Sequence, residues 1–457
     1  MLLTDLLVNS CRNYRDKTAL IEGETGFTLT YGELLNQAKS FSARLAVATA
    51  SPNIGILLPN SKEFVISFLG ALLCGKTVVP LNYLLNQQEI NCIVKDANID
   101  LIITQSSFNE IAKTVAPPTG TSFTGTAGLP LILYTSGTCN QPKGVMLSNN
   151  NLLANIKSLS EAVTIKEFTF MGILPYFHAF GLTCGLLTPL LSGAAIVLTK
   201  RFNPAQAAEL MERHHVNVML TVPSVYRAFL RAPENNRPLG KIQFLISGGE
   251  GLPKDITEGY KRHFNQTIYE GYGLTETSPV ISLNTPANYR FGSVGKPVSG
   301  VTVKIMEDGE IWVKGPNIME GYYNQPELTA EVITQDGWFK TGDIGRQDED
   351  GFLYITGRKK EMIISAGENI FPSEVECVLY EHPGIAECAV IGIPDKTRGE
   401  AIKAFVVAKD TCGILPEELK SFCRERLAPY KVPAQVEFRA QLPHGPTGKV
   451  LKKTLEC

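Results

Sequence analysis

The sequence predicts an α/β fold with a large N-terminal domain of parallel βα units, a distorted β-barrel portion, and a small α+β C-terminal domain. Three observations predict it. Apolar runs alternate with helical patterns in the first half of the chain, short strands separated by turns follow beyond about residue 300, and a compact mixed pattern begins after Gly357. A length of 457 residues also requires more than one domain.

The first half of the chain predicts parallel strands covered by helices. Residues 53–58, 77–81 and 101–104 are short apolar runs typical of buried strands. Helical patterns fill the intervals, at residues 61–75 and 86–99. Strands that alternate with helices in this way form parallel sheets whose two faces are both covered.

The same alternation continues further along the chain. Residues 216–222 and 242–247 read as strands, and residues 223–232 between them read as a helix. Upstream, Thr30 and Glu33 have the spacing of a capping box, which predicts that a helix begins there.

Beyond about Gly300 the pattern is that of an antiparallel, barrel-like sheet, with short strands at 301–306, 309–315 and 351–356. After Gly357 it changes to a compact α+β module of ordinary domain size. Its predicted strands are 361–365, 387–393 and 400–408, and its predicted helices are 372–382 and 416–427. We therefore divide the chain into residues 1–357, a junction at 358–360, and residues 361–457.

Composition excludes several classes of protein. The formal net charge is −2 and there is no basic block, which argues against nucleic-acid binding. Ten scattered cysteines without a CxxC pair indicate reduced, buried thiols in a cytoplasmic protein, and the N-terminus does not resemble a signal peptide. The uncharged run 179–199 is interrupted by Pro189 and Gly193, so it predicts a buried helix, a turn and a strand rather than a membrane span.

One loop carries the strongest chemical signal. Residues 134–145, YTSGTCNQPKGV, combine glycines, hydroxyls and a lysine directly after an apolar run. Such a loop can hold an anion on its backbone N–H groups, although a glycine- and serine-rich surface turn has the same composition. It is not the usual P-loop, because Gly144 rather than Ser or Thr follows Lys143.

Four further motifs change the interpretation. They are GYGLTET at 271–277, KTGD at 340–343, the basic and glycine-containing stretch 351–376, and PTGKV at 446–450. Each alone also fits a turn, a hairpin, a helix cap or a solvated lysine. Together, in this order, they resemble the adenylate-forming superfamily of AMP-binding, acyl-activating enzymes, over nearly the whole chain. Within it the stretch IISAGENIFPSEVE is most similar to acyl-CoA ligases of the fatty-acid type.

The resemblance implies a ligase that uses ATP, Mg²⁺ and coenzyme A. A carboxylate attacks the α-phosphorus of ATP to give acyl-AMP and pyrophosphate, and a thiol then displaces AMP. Three alternatives stay open at this point: transfer to the phosphopantetheine of a carrier protein, an oxidative enzyme of luciferase type, and a nucleotide-binding scaffold without catalysis. A monomer or homodimer, and a peripheral membrane contact without a transmembrane segment, are equally open.

The resemblance also assigns nucleotide-binding residues. The phosphate loop contributes Thr135, Ser136, Gly137, Thr138 and Lys143. Thr135 and Glu276 would bind Mg²⁺, which prefers hard oxygen ligands. Further residues that the resemblance places around ATP are Ser247, Gly248, Gly249, Glu250, Tyr272, Gly273, Leu274, Thr275, Asp343, Ile355 and Arg358.

A second group of residues would act in the chemistry or in the domain movement of the family. Lys449 would bridge the acyl carboxylate and the α-phosphate, and His178 would border the acyl pocket beside Phe180. Lys360 would be the hinge of a mobile C-terminal domain. The loop that borders pantetheine in the thioester-forming step would be Ser365, Ala366 and Gly367.

Three positions depart from the usual family pattern. Cys139 and Asn140 stand where threonine and glycine are usual, and Glu250 stands where small residues are usual. Cys139 is either a passive small residue or an oxidisable thiol. Glu250 either contacts the adenine amine or lies on the surface. The acyl pocket is expected near residues 177–181, 222–227 and 248–251.

Overall fold

The computed structural model describes residues 2–114, 128–135, 142–163, 167–232, 242–409, 413–445 and 450–455. None of the helices in these ranges is long and apolar enough to cross a membrane.

The strands, in chain order, are β1 (Thr18–Glu22), β2 (Thr28–Thr30), β3 (Asn53–Ile56), β4 (Thr77–Pro80), β5 (Leu101–Ile103), β6 (Leu131–Thr135), β7 (Lys143–Leu147), β8 (Thr169–Gly172), β9 (Ala195–Leu198), β10 (Val218–Thr221), β11 (Phe244–Ser247), β12 (Ile268–Gly273), β13 (Val280–Leu283), β14 (Lys296–Pro297), β15 (Thr302–Ile305), β16 (Glu310–Lys314), β17 (Gly321–Tyr322), β18 (Phe339–Gln347), β19 (Leu353–Arg358), β20 (Ile363–Ser365), β21 (Glu368–Ile370), β22 (Ile385–Asp395), β23 (Gly399–Ala408) and β24 (Gln435–Phe438).

The helices connect these strands. The α-helices are α1 (Leu3–Asn13), α2 (Tyr31–Ala48), α3 (Lys62–Leu73), α4 (Gln87–Asp96), α5 (Gln105–Lys113), α6 (Asn149–Ala162), α7 (Thr188–Ser192), α8 (Pro204–Arg213), α9 (Pro223–Arg231), α10 (Lys254–Phe264), α11 (Pro326–Val332), α12 (Pro372–Tyr380) and α13 (Pro416–Arg424). A π-helix, Phe180–Leu187, runs directly into α7.

Four sheets organise the chain. The strand order β14-β13-β12-β11-β10-β8-β9-β1-β2 forms the largest sheet, and β17-β7-β6-β4-β3-β5 forms the second. Their central strands are parallel, as the alternation predicts. Antiparallel strands lie at both edges of the first sheet and at the β17–β7 edge of the second, whereas β5 at the other edge of the second sheet pairs parallel with β3. The third sheet, β15-β16-β18-β19, is wholly antiparallel, as predicted for the barrel-like portion.

The two large sheets are buried on both faces. In β10, Val218 and Leu220 face the core that lies between the two sheets, while Met219 faces a second core formed with α8, α9 and α10. In β6, Leu131 and Leu133 face the central core and Ile132 faces α4. Burial on both faces explains why these strands are continuous apolar runs in the sequence.

Local signals fix several helix ends. Thr30 Oγ1 accepts a hydrogen bond from the N–H of Glu33, and the Glu33 carboxylate accepts one from the N–H of Thr30, which confirms the predicted capping box of α2. The uncharged run 179–199 folds as the π-helix, α7, a turn at Gly193 with φ of 73°, and β9. This agrees with the predicted buried helix, turn and strand, except that the helix is of the π form.

The C-terminal module has its own sheet and core. Strands β21, β20, β23 and β22 are adjacent, and β24 pairs with β23. Helices α12 and α13 pack on this sheet through Val375, Leu379, Leu419 and Cys423. The predicted burial of cysteines is only partly correct, because Cys92 and Cys377 are exposed.

Candidate active site

A cavity of about 730 Å³ lies where the two large sheets and the antiparallel sheet meet. Its rim is formed at the carboxyl ends of β10, β11 and β12, by the base of the β6–β7 hairpin, and by the start of β18 with the end of β19. The carboxyl ends of parallel strands are the usual ligand-binding edge of an open α/β sheet.

The predicted phosphate loop joins β6 to β7 and opens at this rim. Thr135 and Lys143 are the last pair in the antiparallel register of the two strands, and both line the cavity. The loop therefore begins and ends at the cavity. Ser136, Gly137 and Thr138, together with the departures at Cys139 and Asn140, lie outside the described residues.

Glu276 lies on the wall that adjoins this hairpin. It sits in a 3₁₀ turn, Thr275–Thr277, and its Oε1 accepts a hydrogen bond of 2.8 Å from the hydroxyl of Tyr322. The Nζ of Lys143 is 5.1 Å from the centre of the Tyr322 ring, a cation–π distance. Burial and the neighbouring Glu276 raise the pKa of Tyr322, so its hydroxyl stays protonated and donates.

Asp343 is held at the opposite wall by two partners. The hydroxyl of Tyr272 donates to Oδ2 at 2.7 Å, and Nε of Arg358 lies 3.0 Å from Oδ1. The pairing follows from sheet register, because Asp343 on β18 lies opposite Arg358 on β19. Asp343 is 2% exposed, and the guanidinium of Arg358 balances the charge of its buried carboxylate.

Two residues at this wall were not anticipated from the sequence. Glu310 accepts a hydrogen bond from the N–H of Gly342 at 3.1 Å and pairs with Nζ of Lys359 at 3.1 Å. Lys359 also pairs with Asp308 at 2.8 Å. These contacts fix the turn before Asp343 and the residue next to Lys360. The sequence shows Glu310 only as the start of a strand.

The turn Ser247–Glu250 lines the cavity at the end of β11, and so do Tyr272, Gly273, Leu274 and Thr275. Gly273 has no room for a side chain, because a Cβ there would be 1.9 Å from the carbonyl oxygen of Pro279. The backbone must approach that closely for Thr275 and Glu276 to turn into the cavity.

The remaining predicted residues divide into three groups. Lys360 and Arg358 line the cavity, as do Phe180 and His178. Ile355 lies on β19, packed against the core, and Ser365, Ala366 and Gly367 form the β20–β21 turn; none of the four is among the lining residues. Lys449 lies outside the described residues.

The inner half of the cavity is apolar. It lies between one face of β10 and β11, the π-helix and α6. Its lining residues include Leu159, Val163, Phe170, Phe180, Gly181, Cys184, Thr188, Val218, Leu220, Val222, Phe244, Ile246, Val280 and Leu283. Among the described residues, every charged side chain that lines the cavity belongs to the outer half. The Thr188 hydroxyl is satisfied, because it donates to the Thr183 carbonyl at 2.7 Å.

His178 stands between the two halves and is neutral. Burial lowers its pKa to about 4, and its Nε2 has no hydrogen-bond partner among the described residues. In the unfolded chain this imidazole takes up a proton near pH 6.5, whereas the folded protein does so only near pH 4. The side chain's contribution to stability is therefore complete above pH 6.5 and is lost as the pH falls toward 4.

We expect His178→Gln to reduce the dependence of the free energy of unfolding on pH between pH 6.5 and 4. Between pH 6.5 and 4 the wild type should lose about 3 kcal/mol of its free energy of unfolding through this residue, and the variant should not. Urea unfolding at a series of pH values measures the difference. His263→Gln, which changes an exposed histidine, is the matched control. A variant curve parallel to the wild type would contradict the neutral assignment.

Comparison with known proteins matches nearly the whole chain to one family. The model for the AMP-binding enzyme matches residues 7–127 and 127–323, and the model for the AMP-binding enzyme C-terminal domain matches residues 374–449.

Individual relatives and structures agree with that match. A long-chain-fatty-acid–CoA ligase of Bacillus subtilis (strain 168) is 34% identical, over 99% of this chain and 94% of the relative. A sulfoacetate–CoA ligase of Cupriavidus necator is 31% identical, over 99% and 97%. The structure of O-succinylbenzoate coenzyme A synthetase from Bacillus subtilis with ATP and magnesium superposes with a TM-score of 0.88 at 30% identity, covering 99% of both chains.

Proposed function

Because this chain belongs to the AMP-binding enzyme family and is an AMP-forming acid–CoA ligase, we propose that the acid it activates is a fatty acid. ATP, Mg²⁺ and coenzyme A complete the reaction. The observation that carries the proposal is the apolar inner half of the cavity.

The residues that line the inner cavity extend over a length that suits an unbranched chain. Val218 and Leu220 on β10, with Val222 directly after that strand, and Phe244 and Ile246 on β11 line it as alternate residues of two adjacent chain segments. Four residue steps along a strand advance about 13 Å. Three single bonds of an extended chain advance about 3.5 Å, so this length suits roughly eleven bonds of a fatty acyl chain.

The chemistry of the lining argues against short, doubly charged acids. The sulfonate of sulfoacetate, the acid named for one relative, would have to lie among leucine, valine and phenylalanine side chains. An unpaired charge in such a place costs several kcal/mol. An aliphatic chain instead gains about 0.8 kcal/mol for each methylene buried.

The outer half suits a magnesium nucleotide. The described residues include no group of three or more His, Cys, Asp or Glu able to hold a metal by themselves. Glu276 and Thr135 supply a carboxylate and a hydroxyl at the cavity wall, which fits Mg²⁺, an ion usually bound by one or two carboxylates together with substrate phosphates and water. When bound, the ion neutralises phosphate charge. Lys143 would hold the outer phosphates, and Arg358 with Asp343 would hold the ribose side.

The thioester-forming step would use the junction between the two domains. We propose residues 1–357 as the AMP-binding domain, 358–360 as the hinge and 361–457 as the moving domain. The ion pairs of Lys359 with Asp308 and Glu310 favour a pivot at Lys360, because they tie the preceding residue to the large domain. Rotation there would exchange Lys449 for the Ser365–Gly367 turn at the cavity.

Two acids of equal length, together with the short acid sulfoacetate, test the substrate proposal. Pyrophosphate release is measured with dodecanoate, with dodecanedioate, and with sulfoacetate. We expect kcat/KM for dodecanoate to exceed that for dodecanedioate at least about a hundredfold, since the second carboxylate would be buried without a partner. Equal activity with dodecanoate and dodecanedioate, or a preference for sulfoacetate, would overturn the proposal.

A further inference from the structure

Phe244 lines the inner half of the cavity, and three further aromatic rings pack behind it. We call Phe168, Phe244, Tyr269 and Tyr289 the aromatic floor. The ring centre of Phe244, which lines the cavity, lies 5.7 Å from that of Phe168 and 6.3 Å from that of Tyr269. The Tyr269 and Tyr289 rings meet edge to face at 5.9 Å. These are ordinary distances for packed aromatic pairs.

Sheet register puts the floor at the end of the cavity that is distant from the nucleotide side. Phe244 is the first residue of β11, and Gly248, which directly follows the last residue of that strand, lines the outer half. Tyr269 lies beside Ile246 in the parallel register, so it shares the cavity-facing side with Ile246 and with Gly271 on its own strand. A chain that entered with its carboxylate at the nucleotide side would therefore point its methyl end at Phe244.

The floor is backed by the surface rather than by the core. Tyr289 is 40% exposed, and Phe168, Phe244 and Tyr269 are half-buried. Removal of a ring in a deep core leaves a closed void. Removal of a ring here would instead leave space that borders the exposed Tyr289.

We propose that the aromatic floor sets the upper limit of acyl chain length, with Phe244 as the stop. The proposal rests on the fatty-acid function proposed above and adds the position at which the chain ends. A longer chain would have to displace packed rings, which a well-packed wall resists.

A substitution on the π-helix, in the wall that faces Phe244, should have the opposite effect on the acyl chain length that fits. Cys184 is the small, fully buried residue of the π-helix that lines the cavity, four residues after Phe180 and four before Thr188. A leucine at this position would fill part of the cavity and shorten the chain that fits.

The test compares chain-length profiles. kcat/KM is measured for saturated acids from hexanoate to octadecanoate with the wild type, Phe244→Ala, Tyr269→Ala and Cys184→Leu. We expect the ratio of octadecanoate to octanoate to rise at least about tenfold in Phe244→Ala and to fall at least about tenfold in Cys184→Leu. Phe202→Ala removes a half-buried ring from the opposite face of the same sheet, so it should leave the ratio unchanged.

The outcomes separate the two proposals. A wild type that activates no saturated acid overturns the fatty-acid function and this inference with it. A wild type that activates them, with the same ratio in Phe244→Ala, Tyr269→Ala and Cys184→Leu, overturns the floor alone. Phe244→Leu keeps an apolar side chain and should raise the ratio of octadecanoate to octanoate less than Phe244→Ala does. If the alanine variant does not fold, the leucine variant still tests the role of Phe244.

Discussion

Replacement of Lys449 by alanine should reduce acyl-AMP formation by about 10²–10³-fold, the usual cost of one transition-state electrostatic contact. The attack joins a carboxylate to a triphosphate, and Lys449 is proposed to neutralise the charge that builds between them. ATP should still bind with an affinity within about threefold of the wild type, since Lys143, Arg358 and Glu276 stay in place.

The described residues on either side of Lys449 belong to the C-terminal domain. His444 and Val450 form a β-bridge across the loop. The Nζ of Lys452 lies 2.8 Å from Glu376 on α12 and 3.6 Å from Glu361, next to the proposed hinge. The described residues that flank Lys449 are therefore tied to the first residues of the C-terminal domain, and a rotation at Lys360 would carry them.

Two measurements check the Lys449 prediction. Pyrophosphate release in the presence of dodecanoate reports the first half-reaction, and calorimetry reports ATP binding. Thioester formation from preformed acyl-AMP should be nearly unaffected, because the lysine is proposed to act only in the first half. Lys431→Ala, which removes an ion pair with Glu374 in the same domain, is the control. Unchanged acid-dependent pyrophosphate release in Lys449→Ala would remove the role.

Much of the fold could be predicted because its strands are buried on both faces. The observed β3, β4 and β5 lie within the predicted ranges 53–58, 77–81 and 101–104, since two-sided burial leaves an unbroken apolar run. Helix α3 likewise lies within its predicted range, and Ser61 caps it by accepting from the N–H of Phe64.

The form of the central helix could not be predicted. Residues 180–187 are apolar, which indicates burial, but a π-helix depends on backbone bonds five residues apart, such as the one from the Thr188 N–H to the Thr183 carbonyl. No side-chain pattern records that spacing. The consequence is functional, because the π-helix directs Phe180, Gly181 and Cys184 toward the cavity.

Tyr322 shows why part of the site could not be predicted. It reaches Glu276 because β17 pairs with β7, a contact between distant parts of the chain. The aromatic floor has the same origin, since Phe168 precedes β8, Phe244 and Tyr269 lie at the starts of β11 and β12, and Tyr289 follows β13. Motifs that lie within one loop are visible in a sequence, whereas a wall assembled by sheet register is not.

Glu276→Gln should reduce acyl-AMP formation by about 10²–10³-fold and remove most of the Mg²⁺ dependence of ATP binding. Glutamine keeps an oxygen for the Tyr322 hydroxyl, and the backbone carbonyl still accepts from the Met319 N–H, so the turn should retain its shape. Only the negative charge is lost. Since the described residues include no group of three or more His, Cys, Asp or Glu that could hold a metal, that charge is proposed to be the main protein contribution to the ion.

Calorimetry with ATP, with and without Mg²⁺, tests this independently of turnover. In the wild type Mg²⁺ should strengthen ATP binding, and in Glu276→Gln the two titrations should nearly coincide. Glu320→Gln changes an exposed carboxylate beside β17 and should behave as the wild type. A Glu276→Gln protein that keeps the full Mg²⁺ effect would show that the ion is held by the phosphates alone, and the role of Glu276 would then be limited to positioning Tyr322.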